Sequence, residues 1–488
     1  MAIINGVKGI NRVTVSLVNS ESRYRSVISS YVGAMDHASN LTEADIQHSD
    51  YVTTYGSFTE MGIRPELLKG IYNYGFERPS LIQQKSIRPI IDGKDIIVQA
   101  QNGTGKTATY SIGSLQRISG EIRKTQVLVL SPTRELANQI HRVMSALSDY
   151  LPIRCVACCG GRSNVAQMAK ELSKGAHVVV GTPGRVLDMA RHGSLRLDAV
   201  QTFILDEADE MLNRGLRDQL VAIFQQLPAT GQLNQRIERR MQVVIVSATL
   251  PREHLELIHQ FTQSPVRILV PRDELSLAGI RQFYIDVGSE EWKFEALGDI
   301  FASISVSQTV VFVNTRRKVD WLSRQLRRDS FTVEAVHGEL DQSMRETVME
   351  RFRSGASRVL VSSDVWARGI DVQNVGLVIN YDLPSTPTDY LHRIGRSGRF
   401  GRRGLAVSLV TGAEDQSKLD SIARYYRIAI EPAPAALDKL MLDLIPTVHG
   451  SRVVAESDSG VPTAPIDKMI LACKKKKKRK HKKKKKTL

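Results

Sequence analysis

Ten short runs of β-branched and apolar residues, five in each half of the chain, constrain this fold more than any other feature. The first series reads DIIVQA (95–100), QVLVLS (126–131), HVVVGT (177–182), TFILDE (202–207) and QVVIVS (242–247). The second reads TVVFVN (309–314), FTVEAV (331–336), RVLVSS (358–363), GLVINY (376–381) and AVSLVT (406–411). Short apolar runs split by longer helical segments predict βα units, with parallel strands buried on both faces. Two series predict two α/β domains in tandem. The expected boundaries are an N-terminal extension at 1–50 with no fold of its own, a first domain at 51–268, a linker at 269–280, a second domain at 281–445 and a tail at 446–488.

Charge is distributed unevenly over this plan. The formal net charge is +16, but the last fifteen residues, KKKKKRKHKKKKKTL, hold eleven lysines and one arginine, and without them the excess is +4. Such a block repels itself, stays disordered and meets a polyanion or an import receptor, so the tail predicts a nuclear or nucleolar address. No apolar run reaches the ~18 residues needed to cross a bilayer, so no membrane partner is expected. Cys155, Cys158 and Cys159 cluster in CVACC, with Cys473 far away. A zinc site wants a second ligand pair, so these three are predicted to be small residues on a buried strand. The segment 231–241, GQLNQRIERRM, is polar and basic and predicts an exposed loop. Whether the chain starts at Met1 or Met35 stays open.

Polar clusters follow the runs, and in an open parallel sheet ligands bind beyond the carboxyl ends of the strands. AQNGTGKT, Ala100 to Thr107, follows a strand and opens a helix. Gly103, Thr104 and Gly105 let backbone N–H groups turn toward a phosphate, and a helix N-terminus favours an anion. Lys106 then reaches the β- and γ-phosphates, and the Thr107 hydroxyl faces Mg²⁺. Ala100 stands where the generic pattern has glycine. LDEAD, Leu205 to Asp209, ends another strand and supplies Asp206 as the magnesium-side carboxylate and Glu207 as the base for the attacking water. Phosphoryl transfer also needs cations on the developing negative charge. HRIGRSGRFGRRG, His392 to Gly404, lies in the second domain and offers Arg396 and Arg399 three residues apart. Hydrolysis driven by those arginines requires the domains to close.

This set resembles the DEAD-box RNA helicases of superfamily two over about residues 52–445. GFERPSLIQQ is similar to the adenine-reading Q motif, with Phe58 as its upstream aromatic. PTRELA, Gly160–Gly161, TPGR, DEAD, SAT, Gln342-x-x-Arg345, SDVWARGID and HRIGRSGR follow in the family's order. The resemblance implies two RecA-like domains, with ATP and Mg²⁺ as cofactors. It implies that Gln83 reads the adenine edge, that Phe76 stacks on the base and that Asp371 meets the ribose. It assigns coupling to Asp209, Ser247, Thr249 and His392. It puts Thr133, Arg134, Gly161, Thr182, Arg185, Asn314, Arg345 and Ser363 on an RNA-backbone path, Ser363 replacing the family's usual threonine. Arg, Thr, Ser and glycine N–H groups hold phosphates and 2′-hydroxyls without reading bases.

Within the family, EEWKFEAL, NTRRKVDWL and FRSGASRVL resemble the eukaryotic initiation factor 4A group, and DVWARG with SATLP lean toward its nuclear branch. The expected function is an RNA-dependent ATPase, a helicase or clamp that closes around RNA. Nuclear RNA metabolism is the expected setting, as messenger RNA marking at exon junctions or ribosomal RNA processing. The alternatives are a cytoplasmic translation-initiation helicase and a mainly structural ATP-gated RNA platform. A monomer is expected, and the resemblance implies a HEAT-repeat scaffold partner.

Overall fold

The computed structural model of the protein describes residues 53–100, 103–160, 165–212, 214–228, 241–250, 252–269, 280–304, 308–364, 375–397 and 404–434. The N-terminal extension, the linker, most of the 231–241 segment and the lysine-rich end lie outside the described residues.

The first sheet holds β1 (Ile96–Gln99), β2 (Val127–Leu130), β3 (Cys155–Cys158), β4 (Val178–Gly181), β5 (Thr202–Asp206), β6 (Gln242–Ser247) and β7 (Val266–Leu269). Its order is β3-β4-β2-β5-β6-β1-β7, and every pairing is parallel. The second sheet holds β8 (Ile280–Asp286), β9 (Gln308–Phe312), β10 (Val333–Val336), β11 (Val359–Ser362), β12 (Val375–Asn380), β13 (Gly404–Val410) and β14 (Glu431–Pro432). Its order is β10-β11-β9-β12-β13-β8-β14, again parallel throughout. These are the two RecA-like lobes implied by the two series of runs.

Successive residues of a strand point to opposite faces, and both faces here carry helices. In β1, Ile96 and Val98 enter one core while Ile97 enters the other. In β5, Ile204 enters the first core and Phe203 and Leu205 the second. Apolar residues are therefore needed at every position, which is why these strands read as continuous runs. Each fully buried Val, Leu or Ile of β2 contributes about 1.5–3 kcal/mol relative to exposure.

Three strands were not among the runs for a physical reason. β7 and β14 lie on sheet edges, and β8 shows mixed burial along IRQFYID. Their polar positions break the apolar signal. Met241, expected in an exposed loop, is instead buried just before β6. Cys158 and Cys159 are buried and Cys155 is half-buried, all as free thiols. No described helix is long and apolar enough to cross a membrane.

Candidate active site

The phosphate loop leaves β1 and turns into the helix Lys106–Arg117. Gly103 and Gly105 sit at φ 85° and 90°, a left-handed backbone that L side chains disfavour. At Gly105 a Cβ would also lie 2.5 Å from the Gln83 side-chain nitrogen. Lys106 is buried and donates from Nζ to the Ala100 carbonyl inside the loop. Burial pushes its ammonium down to about 8 against the pull of Asp206 and Glu207, and the Arg396 charge from the second lobe acts in the same direction as burial. A second-lobe guanidinium is thus felt at the phosphate loop.

Asp206 ends β5 and is buried. Its Oδ1 accepts the Glu207 backbone N–H at 2.9 Å, and its Oδ2 accepts the Tyr110 hydroxyl at 2.7 Å. Burial raises the Asp206 carboxyl, while the Tyr110 bond and the Lys106 charge hold it down. Glu207 is buried and adopts φ 53°, a left-handed conformation in a non-glycine residue. That backbone costs about 1–2 kcal/mol and is the kind of strain concentrated at working sites.

Asp209 is the hub of the cleft. It accepts from Ser247 Oγ at 2.6 Å, from Thr249 Oγ1 at 2.7 Å and contacts His392 Nε2 at 3.1 Å. Ser247 and Thr249 belong to the first lobe and His392 to the second, so the four coupling residues are brought together across the lobes. Arg396, one turn further on, is buried and donates from Nε to the His392 carbonyl at 3.2 Å. A second bridge joins Arg345 of the second lobe to Glu135 of the first at 3.8 Å.

The adenine-side residues divide. Phe76 is partly buried and tilted against Tyr74 at 5.0 Å between centroids. Gln83 forms a reciprocal capping box with Ser80 and points Nε2 at the Gly105 carbonyl at 3.4 Å. It therefore braces the phosphate loop. Phe58 requires correction as a nucleotide contact. Its relative exposure is 0%, and its ring packs edge-on against Tyr72 in the first-lobe core, so it offers a ligand no surface. Apolar aromatics outside a periodic element do not announce in sequence which way they face.

Several residues expected on the RNA path are engaged within the protein. The Thr133 hydroxyl accepts the Leu136 N–H and caps a helix. The Asn314 side chain donates to the Leu383 carbonyl at 2.8 Å and accepts from Arg393 Nη2 at 2.7 Å, which makes it a brace of the second lobe. Arg134, Thr182, Arg185 and Ser363 are partly buried at the carboxyl edges of their sheets. Gly161, Asp371 and Arg399 lie outside the described residues.

Sequence reasoning missed Arg393, whose side chain is fully buried. Its guanidinium forks onto Asp364 and donates to the Asp382 carbonyl at 2.6 Å, above the Phe312 ring. Its place inside HRIGR hid it among arginines expected to face ligands. Tyr110 was missed too, although its position three residues past Thr107 puts both on one helix face.

The donor set suits magnesium. Among the described residues no group of three or more His, Cys, Asp or Glu could hold a metal. Mg²⁺ does not need such a cage, because it uses one or two carboxylates, substrate phosphates and retained waters.

Residues 80–258 match the DEAD/DEAH box helicase family and residues 292–401 the helicase conserved C-terminal domain. Eukaryotic initiation factor 4A-9 of Nicotiana tabacum is 52% identical over 413 residues, 84% of this chain and 97% of that protein. Eukaryotic initiation factor 4A-3 of Arabidopsis thaliana is 52% identical over 394 residues, covering 81% and 92%. Saccharomyces cerevisiae Dbp5 bound to RNA and ADP BeF3 superposes with a TM-score of 0.72 at 32% identity, covering 80% of this chain and 99% of that one. These relatives overturn the expected nuclear or nucleolar address and nuclear processing role, since the 52%-identical relatives are initiation factors by name. A lysine run fits any polyanion and does not by itself encode an address. With both helicase domains matched and relatives of this identity covered almost end to end, the chain belongs to the DEAD-box family and is an ATP-dependent RNA helicase, an RNA-dependent ATPase, of the initiation factor 4A type.

Proposed function

We propose that this helicase opens structured RNA at translation initiation, the process named by its 52%-identical relatives. It acts by ATP-dependent closure of two lobes, with boundaries near 51–268 and 281–445. ATP enters at the Ala100–Thr107 loop, where Lys106 exchanges its Ala100 carbonyl for phosphate oxygens. Thr107 and Asp206 are the residues to hold Mg²⁺ beside the phosphates. Bound there, Mg²⁺ neutralises charge on the phosphates. Glu207 orients the attacking water and takes its proton. Phe76 and Gln83 border the adenine, and Asp371 the ribose. Arg396 and Arg399 stabilise the charge that develops on the departing phosphate.

RNA runs along both lobes past Thr133, Arg134, Gly161, Thr182, Arg185, Arg345 and Ser363, with Asn314 holding Arg393 behind that surface. Backbone contacts of this kind give low sequence specificity and marked salt dependence. The enzyme works as a monomer braced by a HEAT-repeat scaffold.

The observation that carries this reading is the Asp209–His392 contact at 3.1 Å, because it ties the acidic motif to the arginine-bearing motif. The test is restoration of translation by the full-length protein in an extract depleted of initiation factor 4A. Restoration by the wild-type protein but not by Glu207→Gln supports the proposal. Failure of a wild-type preparation that hydrolyses ATP with RNA overturns the translation role and leaves the enzyme assignment standing.

A further inference from the structure

Tyr110 is fully buried on the helix Lys106–Arg117, and the chemistry above does not use it. Its hydroxyl donates to Asp206 Oδ2 at 2.7 Å. The Thr107 side chain is a hydrogen-bond partner of the same phenol. The other Asp206 oxygen accepts the Glu207 N–H at 2.9 Å. One phenol therefore joins the two side chains assigned to magnesium, and it does so from the phosphate-loop helix itself.

Core packing does not account for this hydroxyl. A phenylalanine would bury the same ring, and a buried hydroxyl costs about 1–3 kcal/mol unless it is paired. Here it is paired with a carboxylate whose terminal torsion is intrinsically broad and roughly two-fold. A carboxylate offers about four lone-pair sites, so two donors fix its plane and leave two sites toward the cleft.

From this juxtaposition we infer that Tyr110 is a positioning residue: it fixes the Asp206 carboxylate and the Thr107 hydroxyl together in the arrangement that receives the metal of Mg·ATP. The inference rests on the assignment of magnesium to Thr107 and Asp206. It also links the phosphate loop to the acidic motif, since a shift of the helix moves Asp206 with it.

The test is equilibrium binding, independent of turnover. A fluorescent non-hydrolysable ATP analogue is titrated into the full-length protein with excess Mg²⁺ and with EDTA, for the wild type, Tyr110→Phe and Asp206→Asn. Tyr110→Phe keeps the ring, and thermal melting reports whether the fold is intact. Loss of an outer-shell partner typically costs 10–100-fold, so Tyr110→Phe is expected to lose about tenfold of the magnesium-dependent tightening while affinity in EDTA stays within about twofold. If Tyr110→Phe keeps the wild-type ratio while Asp206→Asn loses it, the Tyr110 inference is wrong and the magnesium assignment stands. Equal weakening of Tyr110→Phe with and without Mg²⁺ also overturns the inference, because it marks a purely structural role. If Asp206→Asn keeps the wild-type ratio, the magnesium assignment fails and takes the inference with it.

Discussion

His392 of the second lobe reaches Asp209 of the first at 3.1 Å, and neither side chain is exposed to more than 3%. Asp209 also accepts from Ser247 and Thr249, so one carboxylate gathers three side chains from two lobes. A buried contact of this kind is worth most when complete, because removing one partner leaves the other desolvated and unpaired. Lobe closure and assembly of the acidic motif are therefore one event.

His392→Ala tests that link while leaving Ser247 and Thr249 in place. Losing a buried partner costs about 1–3 kcal/mol, so the closed population is expected to drop by about five- to a hundredfold. Energy transfer between dyes on the two lobes, with ATP analogue and RNA bound, reads the population directly. An unchanged closed fraction would separate closure from the Asp209 hub.

Glu207→Gln keeps the shape of the side chain and removes its basicity. A positioned general base contributes about 10²–10⁴ in rate, so RNA-stimulated turnover is expected to fall by at least about 100-fold with nucleotide and RNA affinity nearly unchanged. Single-turnover phosphate release beside equilibrium binding distinguishes this from a binding defect. Wild-type release would remove Glu207 from the base role.

Arg393→Met tests the buried guanidinium that Asp364, Asn314 and Asp382 surround. Breaking one side of such a network costs about 3–5 kcal/mol because acceptors are left unpaired. Differential scanning calorimetry should show the second lobe melting well below its wild-type temperature with the first lobe unaffected. Equal melting of both would place the energetic weight of Arg393 elsewhere.

Burial pushes the Cys155 thiol up to about 11 and the Cys158 and Cys159 thiols up to about 12. The thiolate is the reacting form, so alkylation at pH 8 should be at least about 100-fold slower in the folded protein than in the denatured chain. Because the folded thiols keep their protons longer, stability is complete below pH 9 and declines as pH rises toward 11 and 12. Mass spectrometry of timed iodoacetamide labelling measures the rates, and rapid labelling of all three at pH 8 would contradict the burial argument.

Much of this was legible in sequence because two different signals coincided. Buried parallel strands demand apolar residues at every position, so runs such as Val127–Leu130 mark both the strands and the ends where ligands gather. The phosphate loop needs glycine at left-handed positions, and that requirement shows at Gly103 and Gly105. Side-chain partnerships were less visible. A hydroxyl on Tyr110, a fork from Arg393 and the burial of Phe58 depend on which elements pack together, and spacing along one strand or helix does not encode that. The lysine-rich end misled for a related reason, since charge alone selects a class of binding surface without choosing among its members.

The central claim, that the first lobe holds the triphosphate while a second-lobe guanidinium completes the catalytic site, is tested most directly by RNA-stimulated ATP hydrolysis in Arg396→Ala, with lobe closure monitored in the same sample. An arginine acting on the transferring phosphate is worth about 10³–10⁵ in rate, so a loss of at least about 10³-fold with ATP affinity and closure retained is the predicted result. Hydrolysis at the wild-type rate in a variant that still closes would contradict it.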